Sequence, residues 1–340
     1  MRKGILQALK FLGFLSAGIV LLWLAFRNID FRSLSEGLRG ANYSWILLSL
    51  LFALIAYVSR ARRWILLVRS LGHNPSLINT FHAVMTGYLA NLALPRLGEL
   101  TRCIALGKKE KIPADQLFGT VVIERTIDLI SLLIIMVIMV LLSGDAIALF
   151  LKESIFGPLQ EKVFSVLDFK WIIWVLLGTA SAAGLIMLVR YRRNLKKIRI
   201  IAKIFDLIRG IFHGLRTITT LKRKGEFIFH TVFIWINYTL MTWVVVFALE
   251  STSHITLGES VFLLVIGGLA MSAPVQSGLG AFHYIISRGL AFVEGLRIED
   301  GLVYAILTHE SQLLLVALIG TFSFYIIFRK SSPAEPSADG

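Results

Sequence analysis

The chain has a single cysteine, Cys103, among its 340 residues. One cysteine excludes a disulfide within the chain and the cysteine clusters that bind structural zinc. The sequence also lacks a His-Glu-x-x-His zinc motif, a Gly-x-x-x-x-Gly-Lys-Ser/Thr phosphate loop and a Gly-x-Ser-x-Gly nucleophile elbow. We therefore expect no metal site, no cofactor and no enzyme activity.

Acidic residues are few, since 21 Asp and Glu stand against 35 Lys and Arg and give a formal net charge of +14. A nucleic-acid-binding protein would carry this charge on a soluble folded face. Here the basic residues lie in short segments between apolar runs, as the positive-inside rule describes for membrane proteins. Because 56% of the residues are hydrophobic, the sequence predicts a membrane protein that does not bind nucleic acid.

Several apolar runs approach or exceed the roughly 20 residues that cross a bilayer. We interpret six segments as full spans: about 8–26, 44–59, 117–142, 171–189, 227–249 and 302–328. Two further segments, 80–94 and 259–293, are interrupted by proline and glycine, and we interpret them as broken re-entrant elements. The predicted fold is therefore all-α, a polytopic membrane helical bundle that forms a single transmembrane domain over residues 1–330.

Loop charges orient these spans. The segment 190–226 holds 12 Lys or Arg against Asp206 and Glu226, which places it in the cytoplasm. Counting outward from it puts both termini in the cytoplasm and 27–43 on the opposite side. Apolar residues at helical spacing over about 195–221 predict a basic amphipathic helix on the inner leaflet, or else a linker helix that packs on the bundle.

The two interrupted segments divide the chain into two similar halves, 1–142 and 171–328. Each half contains two spans, a broken element and one further span, and the loop charges give the halves opposite orientations. Such segments at corresponding places in inverted halves point to the central site of a transporter. Ordinary kinked helices without duplication would give the same pattern. The tail, 331–340, is polar and is expected to be disordered.

The first interruption combines a helix breaker with charged residues. Pro95 removes a backbone donor and Gly98 frees the backbone, so a continuous helix is not expected here. Arg96, Glu99 and Arg102 then recur at three-residue spacing and share one face if a helix resumes. In a membrane protein, such a broken helix lines a polar cavity.

A second charged group lies in the span that follows. Glu124 and Asp128 are four residues apart and share a helical face, while Arg125 points away from it. Charged residues inside a membrane normally pair or face a polar cavity. We interpret these three with Arg96 and Arg102 as a site for a phosphate headgroup, and a structural ion-pair network or a helix end in the interface is the alternative.

The second interruption precedes a group of titratable residues. Its breaking residues are Pro274, Gly278 and Gly280. Gln276 lies between them, His283 and Arg288 follow, and His309 and Glu310 come in the last span; we group His283, Arg288, His309 and Glu310 together. Two imidazoles and a carboxylate could relay protons or hold a headgroup, and structurally satisfied histidines are the alternative.

Three motifs together resemble the lysylphosphatidylglycerol synthase transmembrane-region family. They are Leu94-Pro-Arg-Leu-Gly-Glu-Leu-Thr-Arg102, Ile123-Glu-Arg-Thr-Ile-Asp128 and Pro274-Val-Gln-Ser-Gly-Leu-Gly280. The resemblance covers about 10–328 and implies a flippase-like domain that moves an aminoacylated or other anionic-derived lipid between leaflets. The chain departs from the family in having no C-terminal synthase domain, and in His283 and His309-Glu310, where the family often has Glu and Arg.

We therefore expect a multi-pass protein of the bacterial plasma membrane that binds and flips a phospholipid or lipid-linked headgroup. Its expected partners are membrane lipids, anionic or aminoacylated, and the oligomeric state stays open. Two alternatives remain: a membrane subunit of a lipid- or glycan-modifying enzyme system, and a structural envelope protein.

Overall fold

Helices make up the described part of the chain. The computed structural model describes residues 16, 18–27, 29–94, 97–142, 221–272 and 275–329, and these residues form no strand. The predicted all-α fold is thereby confirmed. The predicted span 171–189, the tail 331–340, all of the predicted amphipathic helix except Leu221, and the residues Pro95, Arg96 and Pro274 lie outside the described residues.

The described helices are, in chain order, α1 (18–26), α2 (Phe31–Gly40), α3 (Tyr43–Arg69), α4 (Leu77–Ala93), α5 (Leu97–Glu110), α6 (Ala114–Leu142), α7 (Lys224–Val244), α8 (Leu257–Met271), α9 (Ala281–Glu294) and α10 (Ile298–Phe328). Short 3₁₀ turns follow α7 at Val245–Ala248 and precede α9 at Gln276–Gly278.

Polar side chains begin several of these helices by accepting otherwise unsatisfied backbone N–H groups. The Asp30 carboxylate accepts the backbone N–H of Arg32, which lowers the pKa of Asp30. Thr256 and Glu259 form a reciprocal capping box at the start of α8. These caps fix where the helices start without help from tertiary packing.

The chain forms two compact units. One comprises Met1–Glu124 with Thr220–Gly340, and the other comprises Arg125–Thr219. Of the second unit, the described residues are 125–142, which form the C-terminal part of α6.

Three described helices are long and apolar enough to cross a membrane: Tyr43–Arg69, Lys224–Ala248 and Ile298–Phe328. Their outer faces expose large apolar side chains such as Leu47, Phe229 and Leu318, which suits contact with lipid. The number of spans predicted from the sequence stays a prediction.

Helix α3 extends beyond the predicted end of the second span. That span is predicted to end at residue 59, where a run of arginines follows, whereas the helix continues to Arg69. Arg60 and Arg63 in this run are buried within the protein, and the membrane boundary itself stays a prediction. The two arginines are accommodated because they pair with a carboxylate inside the first unit.

The first unit is held together by α3, α4, α7 and α10, which pack against one another. Ala53, Tyr57, Met85 and Val316 form a buried apolar cluster that joins α3, α4 and α10. Ser49 on α3 donates a 2.9 Å hydrogen bond to a backbone carbonyl of α7.

Each predicted interruption separates two helices that pack against each other. Helix α4 ends at Ala93 and α5 begins at Leu97, and helix α8 ends at Met271 and α9 begins at Ala281. The predicted breaks are therefore confirmed as helical hairpins, and their entry and exit on the same membrane face stays a prediction.

Two glycines make these hairpins sterically possible. Gly98 lies within α5, where a Cβ would meet the backbone oxygen of Gly87 on α4. Gly280 has a φ of +77°, and a Cβ there would lie 2.7 Å from the backbone oxygen of Gly18 on α1. Gly98 thus serves close helix packing rather than backbone freedom, while Gly280 serves both.

Candidate functional site

Three arginines surround one glutamate inside the first unit. The Glu124 carboxylate lies 3.0 Å from Nε of Arg60, 3.7 Å from Nη2 of Arg63 and 3.2 Å from Nη1 of Arg102. All four residues are buried, and Arg63 and Glu124 have no exposed surface. We call these four residues the Glu124 cluster.

Helices α3, α5 and α6 place the members of this cluster. Arg60 and Arg63 are three residues apart and therefore project from one side of α3. Arg102 comes from the helix that follows the first interruption. Its guanidinium carbon lies 4.7 Å from the ring centroid of Trp64, whose indole N–H donates to Thr120 at 2.8 Å.

Further hydrogen bonds fix the cluster in place. Arg60 donates through Nη1 to the hydroxyl of Tyr238 at 2.8 Å, and Arg63 donates through Nη1 to Thr231 at 3.4 Å. Both acceptors lie on α7. Because buried charges need several partners to offset desolvation, Glu124 joins α3, α5 and α6 to one another, and the arginines extend this network to α7.

The structure shows two members of the predicted charged group in contact. It brings Arg102 and Glu124 together, and Glu99 lies half-buried on α5. Arg96 lies outside the described residues. Arg125 and Asp128 belong to the second unit, so their grouping with Arg102 stays a prediction.

Sequence reasoning missed Arg60 and Arg63 as members of the site. It treated the run from Arg60 to Arg63 as a cytoplasmic boundary. Arg60, Arg63 and Trp64 have helical spacing, and no helix breaker lies nearby. This pattern was the available signal that the helix continues and carries both arginines on one face. Arg62 points elsewhere and pairs at 3.0 Å with Glu226, and both of these side chains are partly exposed.

His283, His309 and Glu310 form a second polar group, here called the Glu310 triad. The Glu310 carboxylate lies 3.2 Å from Nε2 of His283 and 3.1 Å from Nδ1 of His309. Both histidines are buried, while Glu310 is 41% exposed. The structure thus brings together three of the four residues that the sequence analysis grouped, and the role of the group stays a prediction.

The Glu310 triad contacts the second interruption of the helices, which is in turn hydrogen-bonded to the first. Nε2 of His309 lies 2.8 Å from the backbone oxygen of Ser277. Ser277 belongs to the short turn Gln276–Gly278, and Gln276, its first residue, is half-buried. The Ser277 hydroxyl donates at 3.2 Å to the backbone oxygen of Asn91, at the end of α4. The Asn91 side chain accepts the backbone N–H of Gly98 at 2.7 Å. One chain of hydrogen bonds thus links both breaks.

This geometry constrains the protons of the triad. A carbonyl oxygen only accepts, so Nε2 of His309 carries a hydrogen. Its Nδ1 then either accepts from a protonated Glu310 or, in the imidazolium form, donates to the carboxylate. The triad can therefore hold a proton on either residue, or present a carboxylate to a cationic group.

The same three residues also have the chemistry of a metal site. One ligand atom from each lies within 4.8 Å of the others, and two imidazoles with a carboxylate suit transition metals. The backbone contact of His309 resembles the second-shell hydrogen bond that orients metal-bound imidazole. The sequence analysis expected no metal because the donors are too far apart in the chain to form a motif.

Comparison with known proteins places the chain among membrane proteins. Residues 8–320 match the family described as the lysylphosphatidylglycerol synthase TM region. A UPF0104 membrane protein of Methanocaldococcus jannaschii is 24% identical over 187 residues, which span 54% of this chain and 50% of that protein. No solved structure matches the chain significantly. The chain is a membrane protein that belongs to the lysylphosphatidylglycerol synthase transmembrane-region family.

Proposed function

We propose that this protein binds a phospholipid headgroup and moves it between the leaflets of the bacterial plasma membrane, as a multi-pass protein. The observation that carries the proposal is the meeting of the two helix breaks at Asn91 and Ser277, beside the Glu310 triad. Broken helices occur at membrane depth where their backbone is buried in protein or lines a polar cavity. A headgroup needs such a polar route to cross an apolar barrier.

The residues around the breaks suit the two charges of such a headgroup. In the proposal, Arg102 binds the phosphate, because a guanidinium forms paired hydrogen bonds with phosphate oxygens. Arg96 assists it. Glu124 holds Arg102 in its orientation, as the 3.2 Å ion pair indicates. An amino group on the lipid would form ion pairs with carboxylate side chains.

The acidic side is formed by two carboxylates in this proposal. Glu99 comes from the first predicted charged group, and Glu310 comes from the triad. Glu310 is the partly exposed member of the triad, so its carboxylate is accessible to a ligand while both histidines orient it. Gln276 and His283 would complete the contacts of the headgroup at the second break.

Lipids retained by the purified protein test this proposal. Mass spectrometry would compare the wild-type protein with Arg102→Gln, His309→Asn and a matched control, Arg32→Gln. Arg32 is a suitable control because its side chain is 87% exposed and pairs only with neighbouring Glu36 among described residues. We expect one phospholipid class to be enriched over the bulk membrane in the wild type and in Arg32→Gln.

We expect the enrichment to fall about tenfold or more in Arg102→Gln and in His309→Asn, because a charge-assisted contact contributes roughly 1.5–3 kcal/mol. Thermal melting of each purified variant separates loss of binding from loss of fold. Equal enrichment in all four proteins, or none in the wild type, would overturn the proposal. Chemical turnover of the lipid by the protein alone would instead indicate an enzyme.

A further inference from the structure

A cavity of about 290 Å³ lies beside the end of α1 and the connection between α9 and α10. Arg27, Arg288 and Arg297 line it, and Glu299 is the one acidic residue among its described lining residues. We call this cavity the Arg288 pocket. It shares no lining residue with the Glu124 cluster or the Glu310 triad.

Arg288 is held in this pocket but incompletely satisfied. Its guanidinium carbon lies 3.7 Å from the ring centroid of Tyr284, which fixes the plane of the group. Its Nη1 is buried and has no hydrogen-bond acceptor among the described residues. A buried donor without an acceptor is costly and rare in native structures. An acceptor oxygen from a ligand in the pocket would satisfy this donor.

The other two arginines add positive charge at the same place. Arg297 donates through Nε and Nη2 to Asp300 at 3.0 and 3.1 Å, so one edge of its guanidinium is engaged by a carboxylate. Arg27 lies over the ring of Trp23 at 5.7 Å. Three guanidinium groups against Glu299 and Asp300 leave a net positive charge, which favours a ligand with negative charge and several acceptor oxygens.

The predicted topology makes these arginines unexpected. The loop charges place 27–43 and the entrance of α8 on the extracytoplasmic side, and the pocket lies at the same ends of the helices. Arginine is depleted on that side of membrane proteins. Membrane orientation therefore does not account for three converging arginines, whereas binding of an anion does.

We propose that the Arg288 pocket binds a phosphate group at the extracytoplasmic face. Its role as one end of a lipid route rests on the proposed function, while phosphate binding itself does not. The phosphate would accept hydrogen bonds from Arg288 and Arg27 at its oxygens. It could belong to a lipid headgroup or to free phosphate, and the experiment distinguishes these sources.

Titration calorimetry on the full-length protein in detergent tests the pocket with three probes. They are dihexanoyl phosphatidylglycerol, inorganic phosphate and dihexanoylglycerol, which has no phosphate. We expect the phospholipid probe to bind the wild type and to bind Arg288→Gln about tenfold or more weakly. Arg288→Lys should restore part of the affinity because it keeps the charge, and Arg32→Gln should bind as the wild type does.

The pattern across the probes decides the source of the phosphate. Inorganic phosphate that competes with the short-chain lipid supports a site for free phosphate, and binding of the lipid probe alone supports a headgroup site. Undiminished binding by Arg288→Gln, or equal binding of the phosphate-free probe, would overturn the proposal. The proposed function would instead be overturned by unchanged lipid enrichment in Arg102→Gln and His309→Asn. The two proposals can therefore fail separately.

Discussion

At the scale of single residues, Glu124 is the residue on which the described charged cluster depends most. Its carboxylate is the shared partner of three buried guanidinium groups that come from α3 and α5. Removing one partner of a buried ion pair leaves uncompensated charge in a medium of low polarity. Stability therefore depends on this side chain, and in our proposal headgroup binding does too.

Replacement of Glu124 by glutamine should lower the stability of the protein strongly. The change keeps the size of the side chain but removes the charge, so we expect a loss of about 3–5 kcal/mol. Glu226→Gln is the control, because Glu226 pairs with Arg62 in a partly exposed position, where the loss should stay below about 1 kcal/mol. Thermal melting in detergent compares the two, and equal melting temperatures would contradict this role of Glu124.

Ser277 offers a second test at this scale. Its φ of 47° suits glycine, and its hydroxyl donates to the backbone oxygen of Asn91. Ser277→Ala keeps the backbone strain and loses the hydrogen bond, which should cost about 1 kcal/mol. Ser277→Gly loses the same bond but relieves the strain. The melting temperature of Ser277→Gly should equal that of the wild type or lie below it, and that of Ser277→Ala should be the lowest of the three. A higher melting temperature for Ser277→Ala than for Ser277→Gly would be inconsistent with a strained Ser277.

At the scale of elements, the two helical hairpins organise the described site. Helices α4 and α5 approach closely at Gly87 and Gly98, and helix α1 lies against Gly280 of the second hairpin. Close backbone contacts therefore fix the position of the polar backbone groups at each break. Arg102 projects from the first hairpin and His283 from the second, so hairpin geometry sets the position of both polar groups.

Alanine substitution at Gly98 should disrupt the first hairpin. A Cβ at Gly98 would meet the backbone of Gly87 and the side chain of Asn91, so we expect a loss of about 1–3 kcal/mol. Gly119→Ala is the matched control, because Gly119 lies in α6 with open space around it. There alanine should be neutral or stabilise the helix by up to about 1 kcal/mol. Melting curves that shift equally in both variants would exclude close packing as the function of Gly98.

The elements were predictable where local chemistry determines them. Proline and glycine end helices through their own backbone properties, so both breaks could be placed from the sequence. The length of α3 could not, because arginines at 60 and 63 are compatible with an interfacial boundary until their partner is known. That partner, Glu124, comes from α6, and no local spacing reveals the contact.

At the scale of the whole molecule, the described polar groups combine residues that are distant in the chain. His283 and Glu310 come from different helices, and so do Arg60 and Glu124. The sequence supplied the candidates Arg102, Glu124, His283, His309 and Glu310 because charged residues in apolar segments are unusual. Their division into two groups and the addition of Arg60 and Arg63 required the tertiary structure.

Across the described part of the molecule there are two kinds of polar site. The Glu124 cluster and the Glu310 triad are largely buried, whereas the Arg288 pocket is a cavity lined by two rim arginines and one half-buried arginine. A lipid translocator needs a place where a headgroup enters and a polar route through the protein. These features meet both requirements in our proposal.

Lipid translocation in liposomes tests the central claim most directly. The protein would be reconstituted with a phospholipid labelled at its headgroup by a fluorophore, and a membrane-impermeant reductant would report the label in the outer leaflet. We predict that wild-type protein and Arg32→Gln expose nearly all of the label, while His309→Asn slows the exchange about tenfold or more. Protein-free and wild-type liposomes that both retain half of the label would contradict the proposed function.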